Sequence, residues 1–185
     1  MGALEVAQEL RDTIEELKLV ILKLKKDQNN RGRNIVEKNI VICDIDGCIS
    51  KIGERLKYIK QSPKDWTSFY SSCFDDEPIQ EIMDLVVCLE NSGYNIIFCT
   101  GRRESSRFVT TRWLREYFPE TFEYEALLMR PNDDFRQDAE VKIEQCNNYG
   151  IDFDAIKFVL EDRDSMVKAW RELGIKCLQV AEGNF

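Results

Sequence analysis

The chain has 185 residues, of which 43% are apolar, 10% aromatic and 32% charged, the make-up of a globular domain rather than a disordered segment. It contains no histidine, which excludes imidazole zinc sites and Ser-His-Asp or Cys-His nucleophile systems and leaves acid–base chemistry to carboxylates, Lys, Tyr or Cys. Against 34 Asp plus Glu stand 26 Lys plus Arg, and the formal charge of −8 argues against general attraction to a polyanion.

Residues 1 to 30 open the chain with Ala3, Ala7, Leu10, Ile14, Leu17, Ile21 and Leu24 at alternating spacings of four and three. That heptad pattern predicts a coiled-coil helix that builds a homo-oligomer, a dimer or, because Leu4, Val6 and Val20 widen the apolar face, a tetramer. The competing reading is one amphipathic helix folded against its own domain. The polar stretch Asp27 to Asn34 reads as a linker. No secretory leader pattern and no apolar run of about 18 residues is present, so no membrane partner is expected. Seven cysteines without a CxxC pair point to reduced thiols and a cytoplasmic location.

From residue 39 onward, short apolar runs alternate with amphipathic segments. Residues 39–43, 95–99, 126–129, 156–160 and 176–180 are strand-like, whereas 78–91, 104–118, 136–149 and 164–173 carry helical periodicity. Such alternation predicts an α/β domain over 39–185 with a largely parallel sheet, whose ligands collect at the carboxyl ends of the strands. Gly93, Gly150 and Gly174 fall where helices should stop. Residues 48–77 are too long for a minimal connection and would form a small cap. Its Tyr58, Trp66, Phe69, Tyr70 and Phe74 either stack a base or form the cap's own core.

The rim after the strands carries Asp44 and Asp46 in CDIDGC, Thr100-Gly101-Arg102-Arg103, Arg130-Pro131 and Glu161-Asp162-Arg163. Two aspartates one residue apart offer a nucleophile and a second carboxyl for the same substrate, with Gly47 allowing the tight turn. Glu161 and Asp162 add hard oxygen ligands suited to Mg²⁺. Asp138 lies one helical turn before Lys142 and is placed to orient it. Residues 101–115 hold five arginines and one acid, a basic island in an acidic protein. Its Arg107, Arg112 and Arg115 are read first as a solvated helix face.

In this order and spacing, the segments resemble the four motifs of the haloacid dehalogenase superfamily: DxDG at Asp44 and Asp46, Thr100, Lys142, and the acidic pair Glu161 and Asp162. Within it, CDIDGC, Arg55 eleven residues after Asp44, CTGRRE, RQDAEVK, LEDRDSMVKAW and WRELGIKCLQVAEGNF look most like the 3′-phosphatase domain of phage polynucleotide kinase/phosphatases, over residues 39–185. The resemblance implies a Rossmann-like three-layer sandwich and an aspartyl-phosphate mechanism. Asp44 would be the nucleophile and Asp46 the acid, then base. Mg²⁺ would be held by Asp44, the Asp46 main-chain carbonyl and Asp162. Thr100 and Lys142 would steady the phosphate, as would Arg55, Gly101, Arg102 and Arg130, with Asp138 and Glu161 in support. Position 161 departs from the phage pattern, which has Asp there. The absence of GxxxxGK[ST] predicts no 5′ kinase activity.

The implied function is a Mg²⁺-dependent phosphatase acting on 3′-phosphorylated nucleic-acid ends or nucleotides, as in end repair. A small-molecule phosphomonoesterase such as a nucleotidase is the alternative. A phosphate-recognising assembly module is a third reading, which the intact Asp44/Asp46 pair opposes.

Overall fold

In the computed structural model, residues 39–183 are described; the heptad segment of residues 1 to 30 lies outside them. Five strands, β1 (Ile40–Cys43), β2 (Asn95–Arg103), β3 (Ala126–Arg130), β4 (Ile156–Arg163) and β5 (Cys177–Gly183), form one sheet in the order β3-β2-β1-β4-β5. Every pairing is parallel. Six helices accompany them: α1 (Leu56–Lys60), α2 (Trp66–Ser71), α3 (Gln80–Asn91), α4 (Arg107–Tyr117), α5 (Asp138–Tyr149) and α6 (Asp164–Glu172).

Alternation along the strands sorts the apolar side chains into two cores, because successive residues of a strand face opposite sides of the sheet. Val41, Cys43, Ile96, Phe98, Leu127 and Met129 pack with Met83 and Val86 of α3 and Trp113 and Leu114 of α4. Ile42, Ile97, Cys99 and Val159 pack instead with Cys146 of α5 and Met166, Val167 and Trp170 of α6. Helices thus cover both faces, giving three layers. The near-continuous apolar runs of β1 and β2 follow from burial on both sides.

Strand order reverses at β1. The chain steps outward through β2 and β3, then crosses to the other side of β1 for β4 and β5. Such a switch point leaves a crevice at the carboxyl ends of the strands, and Asp44 sits at its head, its N–H donating to the Leu160 carbonyl at 3.0 Å.

Two strands run further than their apolar stretches foretell. β2 continues through Thr100 to Arg103 and β4 through Glu161 to Arg163, so the polar motifs lie on strand ends rather than in loops. Each extension carries a register shift, between Thr100 and Arg103 against β3 and between Glu161 and Arg163 against β5. Such irregularities leave extra residues on one strand and re-aim their side chains. Between β1 and α3, the chain forms a 3-10 turn (Gly53–Arg55), α1, α2 and a second 3-10 turn (Ser72–Asp75). Asp65 caps α2, its carboxylate accepting from the Ser68 N–H at 2.9 Å. All seven cysteines are free thiols, and six are buried.

Candidate active site

The turn after β1 depends on Gly47. Its φ of +85° is open to glycine at no steric penalty, and a methyl group there would lie 2.0 Å from Asp162 Oδ2. The missing side chain is what lets the carboxylate of β4 reach the Asp44 turn. A second close approach occurs at Gly101, where a methyl group would meet Asp138 Oδ1 at 2.9 Å and so displace that carboxylate.

Asp44, Glu161 and Asp162 bring carboxylate oxygens within 4.8 Å of one another, all three side chains being buried. Lys142 reaches this cluster from α5. Its Nζ donates to Asp44 Oδ1 at 2.8 Å and to Glu161 Oε2 at 2.8 Å, and lies 3.6 Å from Asp138 Oδ2 one turn earlier on the helix. Asp138 also accepts from Arg130 Nη2 at 2.8 Å and faces Arg163 Nη1 at 3.5 Å. One ammonium among so many carboxylates leaves the site short of positive charge. Burial, and next the charge of Glu161, push the Asp44 carboxyl up to about 8 in spite of Lys142. Burial likewise raises Glu161 and Asp162, while the surrounding carboxylates hold Lys142 firmly protonated against its own desolvation. Three hard oxygen donors with unbalanced negative charge fit a divalent cation of the Mg²⁺ type.

Asp46, two residues on, has the opposite surroundings. Arg102 donates to Asp46 Oδ1 from Nε at 3.0 Å and from Nη2 at 2.6 Å, and Arg55 Nη2 donates to the same oxygen. Burial works to raise this carboxyl, but the Arg102 and Arg55 charges override it and bring it to about 2. Behind the pair stands Asp76. Arg55 Nε donates to both its oxygens at 2.8 Å, Arg102 Nη2 and Ser50 Oγ donate to Oδ2 at 3.1 and 2.9 Å, and Trp113 Nε1 donates to its carbonyl at 2.8 Å. Two guanidiniums and two carboxylates thus form a balanced block. Arg55 is further held over the Phe69 ring at 4.4 Å, yet its Nη1 is buried without a hydrogen-bond partner among the described residues.

A cavity of about 290 Å³ opens above Asp44, Asp46, Lys142 and Glu161. Gly101, Arg103, Arg130 and Arg163 contribute on the sheet side, and Trp66, Phe69 and Tyr70 of α2 form an aromatic wall. Trp66 stacks on Tyr70 with centroids 5.9 Å apart, and Phe69 meets both rings edge-on.

Asp44, Asp46, Arg55, Thr100, Gly101, Arg102, Arg130, Asp138, Lys142, Glu161 and Asp162 are all in or directly behind this site, but their duties differ. Arg55 and Arg102 are buried on Asp46 and Asp76 and do not line the cavity; Thr100 is buried too, its Oγ1 accepting from the Arg102 N–H at 3.2 Å. Of the basic island, Arg107 pairs with Glu104 at 2.6 Å and Arg112 lies 4.2 Å over the Phe74 ring; neither these nor Arg115 line the cavity. Asp76 and Ser50 behind Asp46, and Phe135 on the cavity lining, are among the residues that sequence reasoning missed. Nothing sets Asp76 apart within the run Asp75-Asp76-Glu77, and only folding brings it under two arginines. Among the described residues, no helix is long and apolar enough to cross a membrane.

The comparisons agree with this architecture. A protein of Autographa californica nuclear polyhedrosis virus, carrying the name of a bifunctional polynucleotide kinase/RNA ligase, is 30% identical over 136 residues, 73% of this chain and 18% of that protein. A chain from a structure of the Pnkp1/Rnl/Hen1 RNA repair complex is 32% identical with a TM-score of 0.66, covering 79% of this chain and 43% of that one. CbbY from Rhodobacter sphaeroides, solved with phosphate, is 10% identical with a TM-score of 0.55, over 80% and 87% of the two chains, and shows the fold alone. The chain therefore spans less than half the length of the relatives at 30% identity or above. The profile described as the polynucleotide kinase PNKP phosphatase domain matches residues 38–185, so the chain belongs to that family of haloacid dehalogenase-like phosphatases and is a phosphoric monoester hydrolase.

Proposed function

We propose that this domain removes 3′-phosphates from nucleic-acid ends by way of an aspartyl-phosphate on Asp44. The observation that carries the reading is the contrast two residues apart: Asp44 among acids and Lys142 at the cavity floor, Asp46 clamped between guanidiniums. The 30% and 32% identity to proteins named for polynucleotide kinase and RNA repair supports the nucleic-acid substrate.

In the first half-reaction, an Asp44 oxygen attacks phosphorus in line. The bond from phosphorus to the sugar oxygen breaks as the bond to Asp44 forms, and the departing oxygen takes a proton from Asp46. In the second, a water attacks the phosphorus of the intermediate and gives its proton to Asp46, and the bond to Asp44 breaks to release inorganic phosphate. Asp46 rests ionised, ready for the second step. For the first it must gain a proton, and a phosphate dianion arriving beside it raises its proton affinity by like-charge repulsion. Lys142 neutralises charge on the phosphate, and Arg130, which lines the cavity, offers it further donors. Asp138 and Glu161 hold Lys142 in place. Asp44, Asp162 and the Asp46 main-chain carbonyl would hold Mg²⁺, which would supply positive charge to offset repulsion between Asp44 and the incoming phosphate. The segment 48–77 serves as a small cap over the site.

Phosphate release from 3′- and 5′-phosphorylated oligonucleotides and from mononucleotides, with Mg²⁺, tests the reading. The 3′-phosphorylated oligonucleotide should be turned over best and the 5′-phosphorylated one not at all. Equal or faster turnover of mononucleotides overturns the polymer reading in favour of a nucleotidase. For residues 1 to 30, the reading remains self-association, and removing them should lower the mass in solution.

A further inference from the structure

The cavity rim carries a feature that phosphate chemistry does not use. Phe135 lines the same cavity as Asp44, yet 78% of its surface is open to water, an uncommon exposure for a large aromatic ring. It is not at the tip of a loose loop. On one side Arg130 Nη1 donates to the carbonyls of Asp134 and Arg136, at 3.3 and 3.0 Å. On the other, Arg136 is tied to Asp134 at 2.6 Å and to Glu144 of α5 at 2.5 Å. Both neighbours of Phe135 in the chain are therefore fixed, and the ring is presented rather than dangling.

Arg103 lies against it. The guanidinium carbon is 5.0 Å from the Phe135 centroid and 5.8 Å from that of Tyr70, so one cation bridges the rim phenylalanine and the α2 aromatic wall. Arg103 Nε is buried with no hydrogen-bond partner among the described residues. A buried donor without an acceptor carries a desolvation penalty that a ligand acceptor would relieve. An exposed, immobilised ring beside an unanswered donor, at the mouth of a phosphate-cleaving cavity, is the pairing that a planar heteroaromatic with hydrogen-bond acceptors would satisfy.

Resting on the 3′-phosphatase reading, we propose that Phe135, backed by Arg103, is the stacking platform for the base of the 3′-terminal nucleotide, and that it sets the preference for a base-bearing end over a bare sugar phosphate. Stacking on an aromatic ring tolerates every base, so the platform selects for the presence of a base and not its identity.

The test compares kcat/KM on two oligonucleotides that differ only at the 3′-phosphorylated end, one terminating in a normal nucleotide and one in an abasic tetrahydrofuran, in the wild-type protein, F135A and F135W. An aryl phosphate is run alongside. The wild-type protein should favour the base-bearing end by about tenfold, within the span that one stacked base is worth. That ratio should fall to about one in F135A and return in F135W. An equal ratio in wild type and F135A, or a wild-type protein indifferent to the base, overturns the platform and leaves the 3′-phosphatase reading standing. Turnover of the aryl phosphate with neither oligonucleotide hydrolysed overturns the 3′-end reading, and the platform with it. Phe135 is exposed, so unchanged thermal melting of F135A should accompany any of these results.

Discussion

Two aspartates of one turn, Asp44 and Asp46, live in opposite electrostatic worlds. Around Asp44 are Glu161, Asp162 and a single ammonium, and its carboxyl is pushed up to about 8; around Asp46 are Arg55 and Arg102, and its carboxyl is drawn down to about 2. Both are largely shielded from water, so the difference lies in the partners each fold element delivers. β4 and α5 bring acids and Lys142 to Asp44, whereas the 3-10 turn before α1 and the extended end of β2 bring guanidiniums to Asp46. The two also act on stability in opposite directions. Asp46 contributes stability above the ordinary value of 3.8, lost as pH falls towards 2, whereas Asp44 costs stability as pH rises from 3.8 through about 8. A group that resists ionisation among acids is poised to take a cation. One clamped by arginines is poised to answer a change in nearby charge.

Breaking the first half of that contrast has the largest expected effect. Asp44→Asn removes the attacking oxygen while keeping shape, and phosphate release should fall by about 10⁴-fold or more with the melting temperature at neutral pH little changed, since a carboxyl held largely neutral gives way to a neutral amide. Retained activity places the nucleophile elsewhere. Asp46→Asn removes the proton carrier, and a loss of about 10³-fold in kcat is expected, within the range for general acid–base groups. The loss should be smaller on aryl phosphates, whose leaving oxygen needs less help from a proton.

Asp76→Asn tests whether the balance behind Asp46 is structural. Taking one carboxylate from a buried block with two guanidiniums should cost on the order of 3 kcal/mol in chemical denaturation. An unchanged midpoint shows that Asp76 is dispensable to the block. Gly47→Ala probes the turn that joins the two halves. The positive φ, together with displacement of the Asp162 carboxylate, should cost about 1–2 kcal/mol and weaken the Mg²⁺ response. The mildest test is the pH dependence of Mg²⁺ binding by calorimetry. Because Asp44 must lose its proton to bind the cation, affinity should tighten from pH 6 to about 8, by less than about tenfold per pH unit, and flatten above it. Affinity independent of pH removes Asp44 from the ligand set.

The strands and helices were legible because burial on both faces imposes continuous apolar runs, and helices on either side impose their own period. Strand ends were less so. Thr100 to Arg103 and Glu161 to Arg163 read as a rim beyond the strands because they are polar, yet pairing with β3 and β5 carries the strands through them. The acidic motifs were visible from type and order alone. Which acid would be charged was not, since proton affinity depends on neighbours far apart in the chain, such as Asp44 and Lys142, 98 residues distant.

By itself, then, the sequence determined an α/β domain with a parallel sheet, the acids and cations at the strand ends, and the absence of imidazole chemistry. Only the tertiary structure decided that Arg55 and Arg102 clamp Asp46 with Asp76 behind them, that Gly47 yields its space to Asp162, and that Phe135 stands exposed beside Arg103. The reason is physical. Period and composition record what each residue prefers locally, while electrostatics and close approach depend on which segments the sheet order brings together.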